Sequence, residues 1–275
     1  MTSCLLCRGS KFRPFIREGE WQYLRCLDCS LIFLDPQPSK GFLHNHYQDY
    51  LPADDWGIES WHKLMAQVFA KSAGLIQNEI PVPGRLLDIG CGYGFFLEEM
   101  ARRGWQVEGI EISATGLNYA REKLGLNVSK NPLPRPDWQD NCYDVITLFY
   151  VIEHLQNPLV VLREVHRLLR VGGLLLLRWP HTAPIARMFR PWAKRMKLYQ
   201  APSHLFDFSP VTIYKILDQL DFHKIRTTVC GWTKPANKGA LLAAWLFGSF
   251  GEQLARVTRD RLLLPGVSKT TLARS

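Results

Sequence analysis

The amino-acid sequence predicts an α/β protein, with helices on both faces of a mostly parallel sheet and a small cysteine-rich module in front of it. Between residues 85 and 230, short apolar runs alternate with helical patterns, as expected for strands joined by crossover helices. A glycine-rich turn follows the first of these apolar runs. Ahead of them, two Cys-x-x-Cys pairs are separated by eighteen residues. These three observations are the basis of the predicted fold class.

The composition is that of a protein with a full hydrophobic core. Of the 275 residues, 47% are hydrophobic and 21% are charged, which allows one large domain or two unequal ones. The N-terminus lacks a basic stretch followed by an apolar one, so we expect no signal peptide. The longest apolar stretch, residues 240–250, is much shorter than the ~20 residues of a transmembrane segment. Seven cysteines without a disulfide pattern favour the reducing cytoplasm.

The net charge of +9 is concentrated late in the chain. Residues 180–206 carry five cations and no acid, and residues 231–275 carry seven cations against two acids. Such a surface attracts phosphorylated substrates, nucleic acid or anionic lipid, and charge alone does not choose among them. A solvated positive face with no partner is the alternative.

The glycine-rich turn is the first candidate binding site. It contains Asp88, Gly90, Cys91, Gly92 and Gly94 in the spacing Asp-x-Gly-x-Gly-x-Gly, which differs from dinucleotide-binding and P-loop motifs. Glycines let the backbone bend sharply and approach a ligand, and the helix behind them presents free N–H groups. We therefore expect a small polar cofactor here. A glycine turn without a ligand is the alternative.

A carboxylate follows the second strand, which is predicted over residues 105–112. Glu111 would lie beside the glycine turn if the sheet is parallel, and a carboxylate there can accept two hydrogen bonds from a ribose diol.

At these residues the chain resembles the class I S-adenosylmethionine-dependent methyltransferases. Their first motif is similar to Asp88–Gly94, and their ribose-binding acid corresponds to Glu111. The resemblance continues, in the same order, through residues 143–147, 151–155 and 168–173 and covers roughly residues 60–230. It implies a Rossmann-like, seven-stranded sheet and S-adenosylmethionine as cofactor. It also implies cofactor contacts from Ile112, Phe149 and Tyr150.

The acid that contacts the adenine in such enzymes is harder to place. Residues 131–140 contain three prolines and depart from the family pattern. Asp137, next to Trp138, is the candidate, and a plain surface loop is the alternative.

Two histidines are candidates for the catalytic base. His154 follows the fourth strand, whose end should face the transferable methyl group, and an imidazole can take a proton from a hydroxyl near neutral pH. A helix-start residue fixed by hydrogen bonds is the alternative. His204 lies in a segment that resembles the family's histidine-bearing return to the fold. Ubiquinone O-methyltransferases bind a divalent metal in this region, but Tyr150 replaces one of their glutamates, so we expect no metal here.

Cys4, Cys7, Cys26 and Cys29 have the spacing of a zinc ribbon. Four thiolates can complete a tetrahedral structural site with no open position, and free or redox-active cysteines are the alternative. This module and the linker after it resemble the N-terminal part of a subgroup of bacterial methyltransferases. Many of these act in pathways for surface polysaccharides and other glycosylated or secondary metabolites, which implies a small-molecule acceptor.

We expect three parts in the chain. They are a zinc ribbon over residues 1–40 with strands at 21–25 and 31–34, a linker and cofactor-covering helix over 41–80, and a methyltransferase domain over 81–275. The helix is predicted over 61–78. In the linker, Tyr47, Tyr50 and Trp56 could line the mouth of the active site, and the alternative is that they only seat the linker on the main domain.

Within the methyltransferase domain, a helix starting at Asn157 should end at Gly172-Gly173, and a fifth strand should precede a basic cap inserted over residues 180–206. A helix over 211–220, a strand over 222–230, an apolar helix and a final antiparallel strand over 270–274 complete the expected domain.

The predicted function is methyl transfer from S-adenosylmethionine to oxygen or carbon of a sugar, glycan or secondary-metabolite intermediate. The basic cap could grip phosphates or lie on a membrane surface, so a phosphorylated or lipid-linked acceptor fits it. An rRNA or tRNA base methyltransferase is the first alternative, although residues 1–59 carry six cations against eight acids and so offer little to phosphates. A non-catalytic S-adenosylmethionine-binding module is the second.

Overall fold

The computed structural model describes residues 3–189 and 197–275 of the chain. In chain order the strands are β1 (Phe12–Glu18), β2 (Trp21–Cys26), β3 (Ile32–Leu34), β4 (Arg85–Ile89), β5 (Gln106–Ile110), β6 (Val128–Ser129), β7 (Tyr143–Phe149), β8 (Leu169–Trp179), β9 (Phe206–Asp207), β10 (His223–Thr228) and β11 (Lys269–Arg274). The α-helices are α1 (Lys40–Gln48), α2 (Asp55–Glu79), α3 (Phe95–Arg102), α4 (Ala114–Asn118), α5 (Pro158–Leu168), α6 (Ala183–Met188), α7 (Pro210–Asp218) and α8 (Lys238–Val257).

A seven-stranded sheet with the order β10-β11-β8-β7-β4-β5-β6 forms the centre of the molecule. β11 runs antiparallel to both of its neighbours, and the other strands pair in parallel. Adjacent residues of each strand face opposite sides, so Leu86 packs into one apolar cluster and Leu87 into another. The predicted Rossmann-like, mostly parallel sheet with helices on both faces is confirmed.

Helix boundaries follow local capping. Asp54 starts α2 because its side chain accepts a hydrogen bond from the Gly57 N–H at 2.8 Å, so this helix begins earlier than the residue 61 predicted from the sequence. α1, between the cysteine module and α2, was not predicted. The expectation that Gly172-Gly173 ends α5 was wrong, because the helix already stops at Leu168 and both glycines lie inside β8.

The cysteine module is not separate from the cap. β1, β2, β3 and β9 form one antiparallel sheet in this order, with Ile32 opposite Asp207 and Phe33 opposite Phe206. The sequence predicted β2 and β3, whereas β1 and β9 were missed. The strand pairing ties residues 12–34 to the segment that carries His204.

A buried hydrogen-bond network fastens the end of the cap to this small sheet. The Tyr199 hydroxyl donates to Asp207 at 2.9 Å, and its N–H donates to the Glu18 carboxylate at 2.8 Å. The Tyr23 hydroxyl donates to the carbonyl of His204 at 2.7 Å. Several basic residues predicted for the cap, among them Arg190, Lys194 and Arg195, lie outside the described residues.

None of the helices in residues 3–189 and 197–275 is both long and apolar enough to cross a bilayer.

Candidate active site

Three glycines with positive φ angles shape the turn after β4. The φ values of Gly90, Gly92 and Gly94 are 72°, 57° and 85°, in a region that other residues rarely adopt. A Cβ on Gly90 would lie 2.5 Å from the side chain of Val151, which packs against the turn. Gly94 is the N-cap of α3 and provides no side-chain cap, so the first N–H groups of that helix can serve a bound ligand.

Glu111 holds this turn from the neighbouring strand. Its buried carboxylate accepts hydrogen bonds from the N–H of Gly92 and the N–H of Ser113, both at 2.7 Å. Burial raises the pKa of this carboxyl, and the two N–H donors oppose that rise. Each oxygen has further lone pairs, so the carboxylate can still accept hydrogen bonds from a ribose diol.

Asp88 and Cys91 direct their side chains beneath the turn. The Thr147 hydroxyl donates to Asp88 at 2.6 Å, and burial raises the pKa of this carboxyl to about 8. Cys91 is buried, with its sulfur 2.7 Å from the position that a Cβ on Gly109 would take. Both side chains support the turn in this structure, and their contact with a cofactor stays a prediction.

Helix α1 contacts both the segment that follows Glu111 and the histidine His154. Gln48 Nε2 donates to the carbonyl of Ile112 at 3.0 Å, and the Ser113 hydroxyl donates to the carbonyl of Gln48 at 3.2 Å. The preceding Tyr47 places its hydroxyl 3.0 Å from His154 Nδ1. The sequence offered Tyr47 either for the mouth of the site or for seating the linker, and it did not single out Gln48. The N-cap residue Ser39 was the local signal for this helix.

A row of aromatic rings connects His154 with the glycine turn. The Tyr50 ring lies 6.5 Å from those of both His154 and Trp61, and the Trp61 ring lies 6.3 Å from that of Tyr93 in the turn. Since Trp61 belongs to α2, this helix reaches over the turn. Trp56, predicted beside Tyr47 and Tyr50, is exposed.

The end of β7 contains a strained residue. Tyr150 has a φ of 55°, which costs a non-glycine residue about 1–3 kcal/mol. Its N–H donates to the carbonyl of Arg178 at 2.8 Å, and its hydroxyl accepts from Arg178 Nε at 3.0 Å. This conformation turns the chain into the short 3-10 helix that ends at His154. Phe149 instead packs inward, with its ring 4.7 Å from that of Phe96.

His154 is a neutral imidazole with one nitrogen fixed. Its Nδ1 lies 2.9 Å from the carbonyl of Ser203, which can only accept, so we assign the ring proton to Nδ1. The Nε2 lone pair is then available as a proton acceptor. Burial lowers the pKa of His154 to about 4, so the ring is unprotonated at neutral pH.

Glu153 and His204 complete a buried cluster with His154. The rings of the two histidines are 4.8 Å apart, and burial lowers the pKa of His204 to about 3. Among the described residues, neither carboxyl oxygen of Glu153 has a hydrogen-bond partner, and burial raises its pKa to about 8. The three side chains offer ligand atoms within 4.8 Å of one another. This set can therefore accept a proton or hold a cation.

Asp137 lies on the surface of the protein, and its side chain bonds to Arg135 rather than to the groups described above. Its carboxylate accepts from Arg135 at 2.6 Å and 2.9 Å, and the Arg135 guanidinium lies 4.9 Å from the centre of the Trp138 ring. The side chain of Asp137 is 59% exposed. Its contact with adenine stays a prediction.

The four predicted metal ligands of the ribbon converge. The sulfur atoms of Cys4 and Cys29 are 3.5 Å apart, as are those of Cys7 and Cys26, and all four lie within 4.8 Å. A tetrahedral zinc site with Zn–S bonds of about 2.3 Å places its sulfurs roughly 3.8 Å apart. The donor set therefore fits zinc.

Comparisons with known proteins agree with this geometry. A family model described as a methyltransferase domain matches residues 59–227. A ubiquinone biosynthesis O-methyltransferase of Pseudomonas aeruginosa is 29% identical over 160 residues, which is 56% of this chain and 69% of the relative.

Solved structures share the fold. A SAM-dependent methyltransferase from Archaeoglobus fulgidus superposes with a TM-score of 0.53 and 18% identity, covering 81% of this chain and all of that one. Phosphoethanolamine N-methyltransferase 2 from Haemonchus contortus, in complex with S-adenosyl-L-methionine, gives a TM-score of 0.55 and 15% identity. It covers 94% of this chain and 70% of its own.

The fold and the turn held by Glu111 define the class of this protein as the class I S-adenosylmethionine-dependent methyltransferases. The family model spans more than half of the sequence, and the chain belongs to the methyltransferase-domain family. When bound, S-adenosylmethionine supplies a sulfonium methyl group that a nucleophile can attack. The predicted part of the chain is to hold the ribose at Glu111, align the acceptor and exclude water.

Glu111→Gln tests the ribose contact. The substitution keeps the size of the side chain but removes its charge and turns one oxygen into a donor that faces an N–H group. We expect the Kd for S-adenosylmethionine to rise 10- to 100-fold, about 1.4–2.7 kcal/mol, in isothermal titration calorimetry. Glu108→Gln is the matched control, because Glu108 lies on β5, the strand that Glu111 follows, and pairs with Arg85 at 2.6 Å. Equal affinity in both variants would contradict the assigned role.

Glu153→Gln tests the buried carboxyl. Between its ordinary pKa and the raised pKa of about 8, folded Glu153 keeps a proton that the unfolded chain has lost, so the wild type loses stability as the pH rises through this range. The glutamine does not titrate. We expect the stability of Glu153→Gln relative to wild type to improve by up to about 5 kcal/mol from pH 4.5 to pH 8.5, measured by urea unfolding. The same stability difference at both pH values would show that the pKa of the Glu153 carboxyl is not raised.

Proposed function

We propose that this methyltransferase acts on a hydroxyl group of a small-molecule acceptor, and that the acceptor is a sugar, glycan or secondary-metabolite intermediate. The observation that carries the proposal is the neutral His154, whose Nδ1 is fixed by Ser203 and whose Nε2 is free. Methylation of a hydroxyl releases its proton, so a proton acceptor beside the acceptor oxygen assists the reaction.

The chain's groups divide the work between two sides. Glu111 and the glycine turn bind and orient the cofactor on one side. On the other, His154 Nε2 takes the proton from the acceptor hydroxyl, and His204 packs against its ring. Tyr47 and Gln48 of α1 close over both sides, which limits the access of water. The low pKa of His154 makes it a weak base, but its imidazole is unprotonated at neutral pH and so can accept a proton.

Two considerations support the acceptor class. The relative from Pseudomonas aeruginosa is named as an O-methyltransferase of ubiquinone biosynthesis, so its acceptor atom is oxygen. The N-terminal cysteine module resembles that of enzymes in glycan and secondary-metabolite pathways. An acceptor carbon next to a carbonyl would need the same proton removal, so the methylated product must decide between oxygen and carbon.

The experiment is a methyl-transfer assay with isotope-labelled S-adenosylmethionine and a panel of nucleotide sugars, lipid-linked glycans and phenols. Product mass and NMR would give the acceptor and the methylated atom. We expect His154→Gln to lower kcat by 10²- to 10⁴-fold without changing the Kd for the cofactor. In the wild type, the rate should fall on acidification only near the pKa of about 4, where His154 becomes protonated.

His223→Gln is the control for this prediction, because His223 is exposed on β10. Full activity in His154→Gln would exclude it as the base. Transfer of the label to RNA alone, with binding that weakens steeply as salt increases, would replace the small-molecule acceptor with a nucleic acid.

We also propose that Cys4, Cys7, Cys26 and Cys29 hold one structural zinc ion, in a reducing compartment such as the cytoplasm. The convergence of their sulfur atoms supports this. A small module gains much of its stability from such a metal. Because β3 pairs with β9, the metal would also hold the segment that carries His204.

Removal of zinc should therefore affect the two sides of the site differently. We expect native mass spectrometry to find one zinc per chain, and chelation or Cys29→Ser to reduce methyl transfer at least tenfold while the Kd for S-adenosylmethionine stays unchanged. Cys230→Ser, outside the ribbon, should leave both unchanged. A protein that lacks zinc would refute the metal site, and a protein that transfers methyl groups equally well after zinc removal would refute its effect on the acceptor side.

A further inference from the structure

The C-terminal helix α8 has its amphipathic pattern reversed. Gly248, Gly251 and Ala255 face the protein and are buried, whereas Leu242, Leu246 and Phe250, spaced four residues apart, are 48–57% exposed. A Cβ on Gly248 would lie 2.6 Å from Trp232, so the small residues allow the helix to pack closely. A surface helix of a globular protein normally buries its large apolar side chains.

The exposed apolar surface extends beyond that stripe. It also includes Leu241, Trp245, Phe247, Val257 and Leu262. A contiguous apolar surface of this kind marks a contact with another apolar phase or molecule.

The charges around α8 indicate what this apolar surface contacts. Lys234 and Lys238 are exposed at its beginning, and Arg256, Arg259 and Arg261 are exposed at its end. No acidic residue occurs between positions 231 and 251. Apolar side chains bordered by cations match the acyl chains and phosphate groups of an anionic lipid surface. Two copies of the chain joined at this face would instead bring like charges together.

We propose that α8 binds the surface of an anionic lipid bilayer. Leu242, Leu246 and Phe250 enter the boundary between headgroups and acyl chains, Trp245 lies at the level of the headgroups, and the flanking cations contact phosphates. The helix lies in the plane of the surface and does not cross it.

The position of α8 relates this surface to the active site. The segment before the helix runs along α2, where the Trp232 N–H donates to Gln67 at 3.3 Å and the Lys234 N–H donates to the carbonyl of Leu64 at 3.0 Å. One turn earlier, α2 carries Trp61, which contacts the glycine turn. Lipid binding at α8 would bring this edge of the site towards the bilayer. That benefit to a lipid-linked acceptor rests on the proposed function, whereas lipid binding does not.

The test is co-flotation of the full-length protein with vesicles of phosphatidylcholine and phosphatidylglycerol, compared with phosphatidylcholine alone. We expect binding to the anionic vesicles, weakened by salt, and at least a tenfold loss in the double variant Leu246→Glu/Phe250→Glu. The matched control is Val82→Glu/Val171→Glu, which adds the same charge at two exposed valines elsewhere and should bind like the wild type. An unchanged Kd for S-adenosylmethionine shows that both variants are folded.

Three outcomes would overturn the inference. In the first, the wild type fails to float with anionic vesicles, and in the second, the α8 variant and the wild type float equally well. The third is that the wild type binds neutral vesicles as well as anionic ones. If sedimentation velocity shows a wild-type dimer that the α8 variant converts to monomers, without vesicle binding, the helix is an interface between copies. Methyl transfer is measured separately, so a failed acceptor assay with intact vesicle binding counts against the proposed function alone.

Discussion

Two hydrogen bonds to one buried carboxylate hold the active site together. A buried carboxylate is expensive unless it is hydrogen-bonded, and Glu111 meets this need with the N–H groups of Gly92 and Ser113. The first bond fixes the glycine turn against β5, and the second fixes the start of α4. Gln48 then hydrogen-bonds Ile112 and Ser113, which seats α1 on the same edge. The next residue back, Tyr47, reaches His154, so the position of His154 is linked to the carboxylate that holds the glycine turn.

Burial favours the uncharged forms of His154, His204 and Glu153. It lowers the pKa of His154 and His204 and raises the pKa of Glu153, so the forms favoured near neutral pH are the uncharged ones. A cluster without charge avoids the desolvation cost of a buried ion. Asp88 follows the same rule beneath the turn, where Thr147 satisfies its carboxyl.

The sequence predicted the strands and helices that local sequence patterns determine. β7 lies where the sequence indicated a strand ahead of His154, because a strand buried on both faces is mostly apolar. β9 was missed because two residues carry no pattern, and the strand exists only through its pairing with distant β3. The glycine turn and Glu111 were visible as a motif, whereas the contact of Gln48 with Ile112 depends on tertiary packing. The helical character of residues 238–257 was also visible, but which of its faces meets the protein was not.

The pairing of β3 with β9 has a consequence for how this chain folds. β1 to β3 leave the ribosome early, but their sheet keeps an open edge until residues 206 and 207 have been synthesised. Contacts so distant in sequence form slowly, because a long loop must close first. His204 lies immediately before β9, so it takes its place beside His154 in the same late step. A nascent chain can therefore complete the glycine turn well before His204 reaches His154.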